Sequence, residues 1–318
     1  SEWVIRAKSS REDGTLSVYQ NLIDTHLAEY GYIGFEDFTH SFMQYIVNQT
    51  KDRPQTCNML AMTCKQIVKA AEKDHLLPRG SYLDIFDDLD IPRYEPKERR
   101  PLTPTEKKLL TTASFTPREK MFLMLIYGTG FRRGETLALT VFDISFRDKT
   151  IRVDKSLAFH RDGHPYIKKP KTKNSYRTNP IPDWLLEELR RYIDEMNLSS
   201  NSYLFTKKDN GLMTRNAYET MWSHIKKVMT RSYLSELSPA QARLVNWKEI
   251  GIQDLTAHVF RHNYCTALCY QMIRNRNISI KKIARLMGDT EKMVMEVYSH
   301  IIEELENAEE AIEAAVNL

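Results

Sequence analysis

The fold class is set by residues 116–135, which read TPREKMFLMLIYGTGFRRGE. It begins with threonine and proline, and Glu119 follows in what would be the first turn of a helix, where a negative charge is favourable. The apolar run Met121–Tyr127 is therefore predicted to be helical. A dinucleotide-binding loop needs a strand before its glycines and a different glycine spacing, so the glycines that follow do not indicate a Rossmann fold.

Helices are also predicted before this stretch. Apolar residues recur at steps of three and four over Ser17–Gly31, after Thr39 and over Pro54–Asp74, which is the period of an amphipathic helix. In the third of these helices, Met59 is among the residues expected to point inward. The first ninety residues are thus predicted to form a small helical bundle.

The third helix carries three lysines at four-residue steps, Lys65, Lys69 and Lys73. Residues four apart lie on one face of a helix, so these lysines form a single basic stripe. The stripe fits contacts with the phosphates of a nucleic acid, and it also fits an ordinary solvated helix face. The sequence leaves both interpretations open.

A segment rich in proline and basic residues follows. Residues 91–105 read IPRYEPKERRPLTPT, with four prolines, four basic residues and few apolar ones, a composition typical of a linker. We expect three segments: a helical domain over residues 1–94, a basic linker over 95–101 and a second domain over 102–318. The basic residues expected to contact a polyanion beside the linker are Lys97, Arg99 and Arg100.

The hydrophobic pattern changes its period after Val141. Short strand-like stretches at Thr150–Val153, Ser156–Phe159 and Tyr166–Lys169 predict a small antiparallel sheet among helices. Asn179–Pro182 leads out of the polar connection that follows them. Helical periodicity then resumes, in Asp183–Met196, Arg215–Met229, Ala257–Met272, Ile280–Met287 and Glu291–Ser299. Between Ser232 and Gln253 the sequence predicts a long polar connection.

Charge is unevenly distributed along the 318 residues. From Glu303 to the end there are six glutamates and no basic residue, so the chain before Glu303 holds 46 basic and 36 acidic residues. A basic body with an acidic end favours a polyanion as the partner of the body and a different partner for the end. No apolar run is long enough to cross a bilayer, and the four cysteines match no zinc-binding spacing. We therefore expect reduced thiols, no metal, no cofactor and a cytoplasmic location.

Four short patterns occur in a fixed order in the second domain: GFRRGE at residues 130–135, PKTK at 170–173, HVFRH at 258–262 and YSH at 298–300. Each alone is common. Their order, spacing and predicted secondary structure resemble those of the tyrosine recombinases, the integrases of the phage lambda type. The resemblance covers essentially the whole chain and implies a mostly helical, two-domain DNA clamp with a small antiparallel sheet. A SAM-like helical core-binding domain would precede the catalytic domain.

Within this resemblance, five residues take catalytic positions. Arg132 and Arg261 match the arginines that hold the scissile phosphate, a task that suits fixed, always-charged guanidiniums. Tyr298 matches the nucleophile, because attack by a tyrosine conserves the bond energy in a covalent phosphotyrosine. His258 matches the acceptor of the tyrosine proton, and Lys171 matches the hairpin lysine that protonates the leaving 5'-oxygen.

Four further positions support or compete with these five. Glu135 matches the acidic partner of the first arginine. Lys173 is the rival of Lys171 as the general acid, and His262 is expected to be a hydrogen-bonded histidine beside the site. Asp289 departs from the family, which has histidine or tryptophan there. A carboxylate cannot donate to a phosphate oxygen, so Asp289 is expected either to support an arginine or to cap the helix of Tyr298.

The resemblance is strongest to integrases of conjugative transposons and prophages. It implies a bacterial site-specific recombinase that exchanges strands of double-stranded DNA through a 3'-phosphotyrosine and a Holliday junction, as a tetramer on two duplexes. Its task would be to integrate and excise a mobile element. Such integrases usually carry a further N-terminal arm-binding domain, and a directionality factor is a possible partner. Two alternatives stay open: a type IB topoisomerase, which relaxes DNA as a monomer, and a non-catalytic DNA-binding regulator.

The acidic end also carries apolar residues at helical spacing, from Ile301 to Val316. This pattern predicts an amphipathic tail helix over residues 301–318. In related integrases such a tail packs on a neighbouring protomer, so the resemblance implies that it joins the protomers of the tetramer. The alternative is a helix that folds back on its own domain.

Overall fold

The structure is a computed structural model that describes residues 2–8, 13–34, 37–95, 100–170, 175–275 and 277–305. The chain divides into two compact units, Ser1–Glu98 and Arg99–Leu318. No helix among the described residues is both long and apolar enough to cross a membrane.

The first unit is helical throughout its described part. Its helices are α1 Glu2–Lys8, α2 Asp13–His26, α3 His40–Asn48, α4 Pro54–Lys73 and α5 Ser81–Phe86. The three predicted helices are present, although the first spans Asp13–His26 instead of Ser17–Gly31, and the Thr39 hydroxyl caps α3 by accepting from the amide of Phe42. Residues of α4 such as Leu60 and Val68 are buried, whereas Met59 is 37% exposed. The inward placement of Met59 was wrong, because this residue lies beside the buried stripe of α4 rather than on it.

The second unit holds ten further helices in its described residues. They are α6 Pro104–Thr112, α7 Pro117–Thr129, α8 Arg133–Leu137, α9 Asp183–Glu195, α10 Arg215–Ser235, α11 Pro239–Arg243, α12 Trp247–Ile250, α13 Ala257–Asn275, α14 Ile280–Met287 and α15 Glu291–Leu305. The fold class expected from the sequence, mostly α with a small antiparallel component, is confirmed. The polar connection predicted between Ser232 and Gln253 instead contains the end of α10 and the short helices α11 and α12.

The strands form two small antiparallel sheets rather than one. In the first, the order is β1 Ile144–Ser145, β2 Thr150–Val153 and β5 Arg177–Pro180. The second is the hairpin of β3 Ser156–Phe159 and β4 Pro165–Lys168. The chain passes from the first sheet to the second at Asp154 and Lys155, between β2 and β3. It returns to the first sheet in β5, which pairs with β2 so that Ile151 lies opposite Asn179. In the sequence, Lys171 therefore lies between β4, which belongs to the second sheet, and β5, which belongs to the first.

Helix α7 occupies the core of the second unit. It begins where the sequence predicted, after Thr116, and the Thr116 hydroxyl and the Glu119 side chain form a capping box by bonding to each other's backbone amides. The ring of Phe122 is fully buried and meets Phe205 and Trp222 edge-on. Burial of a side chain of this size contributes about 1.5 to 3 kcal/mol. A second buried cluster joins α13, α14 and α15, with the buried residues Cys265, Cys269, Ile283, Ala284, Met287, Val294 and Ile301.

Candidate active site

Arg132 lies at the turn between α7 and α8. Helix α7 ends at Gly130, which has a left-handed φ of 63°, and a Cβ there would lie 2.5 Å from the ring of Tyr264. Only glycine fits such a turn without strain. Arg132 then becomes the N-cap of α8: its amide donates to Glu135 Oε2 at 2.9 Å and its Nη1 donates to Glu135 Oε1 at 3.0 Å. Glu135 is thus the partner of Arg132 that the sequence suggested.

A third arginine, Arg177 at the start of β5, holds the other side of Glu135. Its Nη2 and Nη1 donate to Glu135 at 2.7 and 3.1 Å, and its Nε donates to the carbonyl oxygen of Leu286 at 3.0 Å. Its guanidinium also lies 5.0 Å from the ring centre of Phe131. Burial opposes the ionisation of Glu135, but the hydrogen bonds and charges of Arg177 and Arg132 outweigh it and lower the pKa of this carboxyl.

Arg261 reaches the same place from α13. Its side chain is 4% exposed. Nη1 donates to the carbonyl oxygen of Gly130 at 3.0 Å, and Nη2 donates to that of Met287 at 2.7 Å. Burial and the nearby charge of Arg132 lower the pKa of Arg261. We refer to Arg132 and Arg261 together as the arginine pair.

Asp289 joins the two members of the arginine pair. Its Oδ2 accepts from Arg261 Nη2 at 2.8 Å and from Arg132 Nη2 at 3.1 Å. Burial disfavours the charged carboxylate, but the hydrogen bond and charge of Arg261, together with the charge of Arg132, lower the pKa of Asp289. Of the two roles considered for Asp289, support of an arginine is the one seen, and the hydroxyl of Thr290 accepts from the amide of Met293 in the first turn of α15.

Two histidines of α13 lie near the arginine pair. His258 and His262 line a small cavity together with Arg261, Met287 and Asp289. His262 Nδ1 lies 3.4 Å from the hydroxyl of Thr266, one turn further along α13. His258 thus lies beside the arginine pair, and its role as acceptor of the tyrosine proton stays a prediction.

Tyr298 lies elsewhere. On α15 it lines a separate surface pocket with Met272, Ile273, Ser279, Ile280 and Lys281. Met272 follows Arg261 by eleven residues on α13, which corresponds to about 16 Å along a helix axis. Within the described residues, no hydrogen bond joins Tyr298 to the arginine pair. The structure thus brings together Arg132, Glu135, Arg261 and Asp289, with His258 beside them, and leaves the predicted nucleophile apart.

The family of this chain follows from comparison of its sequence with those of known protein families. Residues 101–304 match the profile of the phage integrase family. The chain belongs to this family. The resemblance to tyrosine recombinases noted from the sequence is therefore confirmed.

Two curated relatives illustrate the match. A XerC-like tyrosine recombinase of Caldanaerobacter subterraneus is 28% identical over 194 residues, which cover 58% of this chain and 46% of that protein. The ICEBs1 integrase of Bacillus subtilis is 27% identical over 303 residues, which cover 91% of this chain and 75% of the integrase. The chain thus spans about half the length of the first relative and three quarters of the second.

Solved structures share the fold. The integrase of the transposon Tn1549, in complex with transposon right end DNA, matches with a TM-score of 0.71 at 21% identity, over 92% of this chain and 91% of that one. A lambda integrase tetramer bound to a Holliday junction matches with a TM-score of 0.59 at 14% identity, over 93% of this chain and 75% of that one. Both likenesses concern the fold of this integrase-family chain.

Of the residues predicted to bind DNA, the three lysines of α4 and Arg100 are among the described residues. Lys65, Lys69 and Lys73 are exposed on α4, and the ammonium of Lys69 lies 4.3 Å from the ring centre of Tyr82. This contact is compatible with either interpretation of the stripe. Lys97 and Arg99 of the linker, the hairpin residues Lys171 and Lys173, and residues 306–318 of the predicted tail lie outside the described residues.

Arg100 is engaged in its own unit. Its Nη1 and Nη2 donate to Glu106 at 2.7 and 2.9 Å, and Nη2 also donates to Asp254 at 2.7 Å and to the carbonyl oxygen of Gly251 at 2.8 Å. Glu106 is fully buried, so release of Arg100 would leave a buried carboxylate without this partner. These contacts favour a structural role for Arg100 over the predicted contact with DNA.

The role of Arg177 was missed from the sequence. The sequence around Arg177 gave no sign of its partner, since Glu135 lies 42 residues earlier in the chain. In β5, Arg177 and Asn179 are buried and Thr178 is exposed, an alternation that the structure shows and the sequence alone did not mark.

Proposed function

We propose that this chain is a site-specific DNA recombinase that cuts and rejoins DNA through a 3'-phosphotyrosine on Tyr298, in the bacterial cytoplasm, to integrate and excise a mobile element. The observation that carries the proposal is the arginine pair: two guanidiniums, contributed by segments 129 residues apart in the chain, converge on a single oxygen atom. An in-line attack on a phosphodiester develops negative charge on its non-bridging oxygens. Two fixed guanidiniums stabilise that charge.

The reaction follows from the groups around the pair. The hydroxyl oxygen of Tyr298 attacks the phosphorus and forms the phosphotyrosine bond, while the bond from phosphorus to the 5'-oxygen breaks. His258 accepts the proton of the tyrosine, and Lys171 gives a proton to the departing 5'-oxygen. The free 5'-hydroxyl of a second strand can then reverse these steps and rejoin the DNA without ATP.

The location of Tyr298 adds a requirement to this proposal. Because Tyr298 lines the pocket beside Met272 and, within the described part of the chain, makes no hydrogen bond with the arginine pair, we expect its side chain to be repositioned before it can attack. The cavity beside the pair is lined by Met293, Val294 and Val297 of α15, the helix that carries Tyr298. A shift of α15 on DNA binding would therefore change the cavity and the position of the nucleophile together.

Double-stranded DNA is the proposed substrate, and a tetramer on two duplexes is the proposed assembly. The named relatives support both: the Tn1549 integrase is seen with transposon end DNA, and the lambda integrase is seen as a tetramer on a Holliday junction. The excess of basic residues before Glu303 fits a DNA-binding body.

The decisive experiment is incubation of the full chain with nicked suicide DNA substrates, followed by denaturing gel electrophoresis. We expect a covalent protein–DNA adduct with the wild-type chain and none with Tyr298→Phe, although this variant should bind DNA normally. Tyr270→Phe is the matched control, because Tyr270 packs in the same cluster as Tyr298. An adduct that persists in Tyr298→Phe would refute the assignment, and relaxation of supercoiled DNA without strand exchange would point to a topoisomerase.

A further inference from the structure

The arginine pair already binds an anionic group in this structure. One oxygen of Asp289, Oδ2, lies 2.8 Å from Arg261 Nη2 and 3.1 Å from Arg132 Nη2. An oxygen shared by two guanidiniums is the arrangement expected for a non-bridging phosphate oxygen at a site with two arginines. The carboxylate of Asp289 therefore occupies a position that suits the phosphate of a DNA strand.

Other acceptors already hold the two arginines. Arg132 is bonded to Glu135 through both its amide and its Nη1. Arg261 donates to the carbonyl oxygens of Gly130 and Met287. Because each Nη2 atom carries two N–H groups, the bonds to Asp289 use donors that these structural contacts leave over. Asp289 thus takes the donors that a ligand would need.

The backbone fixes Asp289 at this position. Helix α14 ends at Gly288, whose left-handed φ is 61°, and the amide of Asp289 donates back to the carbonyl oxygen of Ala284 at 3.0 Å. The side chain of Asp289 is 27% exposed and that of Arg132 is 38% exposed, compared with 4% for Arg261. The Asp289 carboxylate is therefore more exposed than the Arg261 guanidinium that it contacts.

We propose that Asp289 is an internal competitor of the scissile phosphate, bound to the arginine pair until DNA displaces it. This inference rests on the proposed function, which brings a phosphate to the pair. It makes Asp289 a residue that slows DNA cleavage, since the phosphate must break two charge-assisted hydrogen bonds and approach a like charge.

The test compares Asp289→Asn with Glu296→Gln. Both substitutions remove one negative charge, and Glu296 is an exposed residue of α15, so the comparison removes any general effect of charge on DNA binding. We expect the adduct with suicide DNA to form at least about tenfold faster in Asp289→Asn than in Glu296→Gln. Asp289→Ala, which also removes the shared oxygen, should be at least as fast. If Asp289→Asn and Asp289→Ala both cleave no faster than Glu296→Gln while their melting temperatures are unchanged, the inference is overturned and Asp289 instead positions the arginines.

A second measurement is independent of cleavage. Inorganic phosphate, titrated into the full-length variants in a calorimeter, should bind more tightly to Asp289→Asn than to Glu296→Gln, and Arg132→Ala added to Asp289→Asn should abolish the gain. Equal affinities would overturn the inference. If the wild-type chain forms no adduct but the phosphate affinities differ as expected, the proposed function fails and the competition at the arginine pair stands.

Discussion

Arg177 donates two hydrogen bonds to Glu135, at 2.7 and 3.1 Å, and the two side chains are only 2% and 5% exposed. Through Glu135 this contact reaches Arg132, and through the carbonyl oxygen of Leu286 it reaches the end of α14. A single buried guanidinium therefore connects β5, the turn that carries Arg132 and the helix that precedes Asp289.

Removal of Arg177 should be strongly destabilising. In Arg177→Met, the buried carboxylate of Glu135 keeps only Arg132 as a charged partner. Loss of one partner from a buried ion pair costs about 3 to 5 kcal/mol of unfolding free energy. The matched control is Arg191→Met, which breaks a pair with Glu188 in which the arginine is 64% exposed; such pairs contribute about 0 to 1 kcal/mol. Urea denaturation of the full chain measures both. Similar losses in the two variants would contradict a structural role for the buried pair.

The same ion pair predicts an acid-dependent contribution to stability. The pKa of Glu135 is lowered from its ordinary value of 4.5, so in the unfolded chain this carboxyl takes up its proton at a higher pH than in the folded one. Its contribution is fully present above about pH 4.5 and is lost as the pH falls below that value, with a slope of up to about 1.4 kcal/mol per pH unit. Urea titrations should show the gap between wild type and Glu135→Gln shrinking below pH 4.5. A gap that is constant down to pH 3.5 would contradict the lowered pKa.

Local signals in the sequence predicted much of the fold. Thr39 and Thr116 located the starts of α3 and α7, and helical periodicity placed α14 at Ile280–Met287, because both signals act over a few residues. Helices α11 and α12 were missed since four or five residues show no period. The division of the strands into two sheets was also missed, because strand pairing depends on partners distant in the sequence.

The candidate site was predictable to a different extent. The motifs around Arg132 and Arg261 correctly named two side chains that meet, and Asp289 was expected to support an arginine as one of two roles. Asp289 bridges both arginines because α14 packs against α13. No local pattern in the sequence encodes this packing. The pocket of Tyr298, apart from the arginines, follows from the same packing.

A glycine next to the buried pair provides a steric test. In Gly288→Ala the new Cβ would lie 2.5 Å from Arg177 Nη1, in addition to the strain of a left-handed backbone. Gly163→Ala is the control, since Gly163 also has a positive φ, of 87°, but its nearest contact would be an ordinary 3.6 Å. We expect a loss of about 1 to 2 kcal/mol of unfolding free energy from strain alone in Gly163→Ala, and a larger loss in Gly288→Ala. Equal losses would show that Arg177 yields to the methyl group at no cost.

The general acid can be identified by chemistry. If Lys171 protonates the leaving 5'-oxygen, Lys171→Ala should cleave ordinary DNA about 10² to 10⁴ times more slowly. A substrate with sulfur at the 5'-bridging position needs little protonation, because a thiolate leaves readily, so it should restore cleavage by this variant. The same pair of substrates applied to Lys173→Ala is the control. Rescue of Lys173→Ala instead of Lys171→Ala would reverse the assignment of the two lysines.

The acidic end of the chain is predicted to connect protomers. Ile301 is buried in the cluster of α13, α14 and α15, so α15 belongs to its own unit, whereas the glutamate-rich residues 306–318 follow it. An isolated helix of this length is marginal in water and gains stability by packing its apolar stripe against a partner. Deletion of residues 306–318 should therefore leave the melting temperature and the binding of one DNA site nearly unchanged, and should weaken assembly of the complex with two duplexes. Gel shifts and multi-angle light scattering on the same protein measure both properties.

Ile301→Ala is the control for this deletion, because it removes packing within the second unit itself. Truncation of a buried isoleucine costs about 2 to 5 kcal/mol, so this variant should melt at a clearly lower temperature as a monomer and bind a single DNA site less well. If the deletion of residues 306–318 behaves in the same way as Ile301→Ala, the tail packs on its own unit, since a segment that joins protomers contributes nothing to the stability of a monomer. If only the two-duplex complex is lost, the tail acts between protomers.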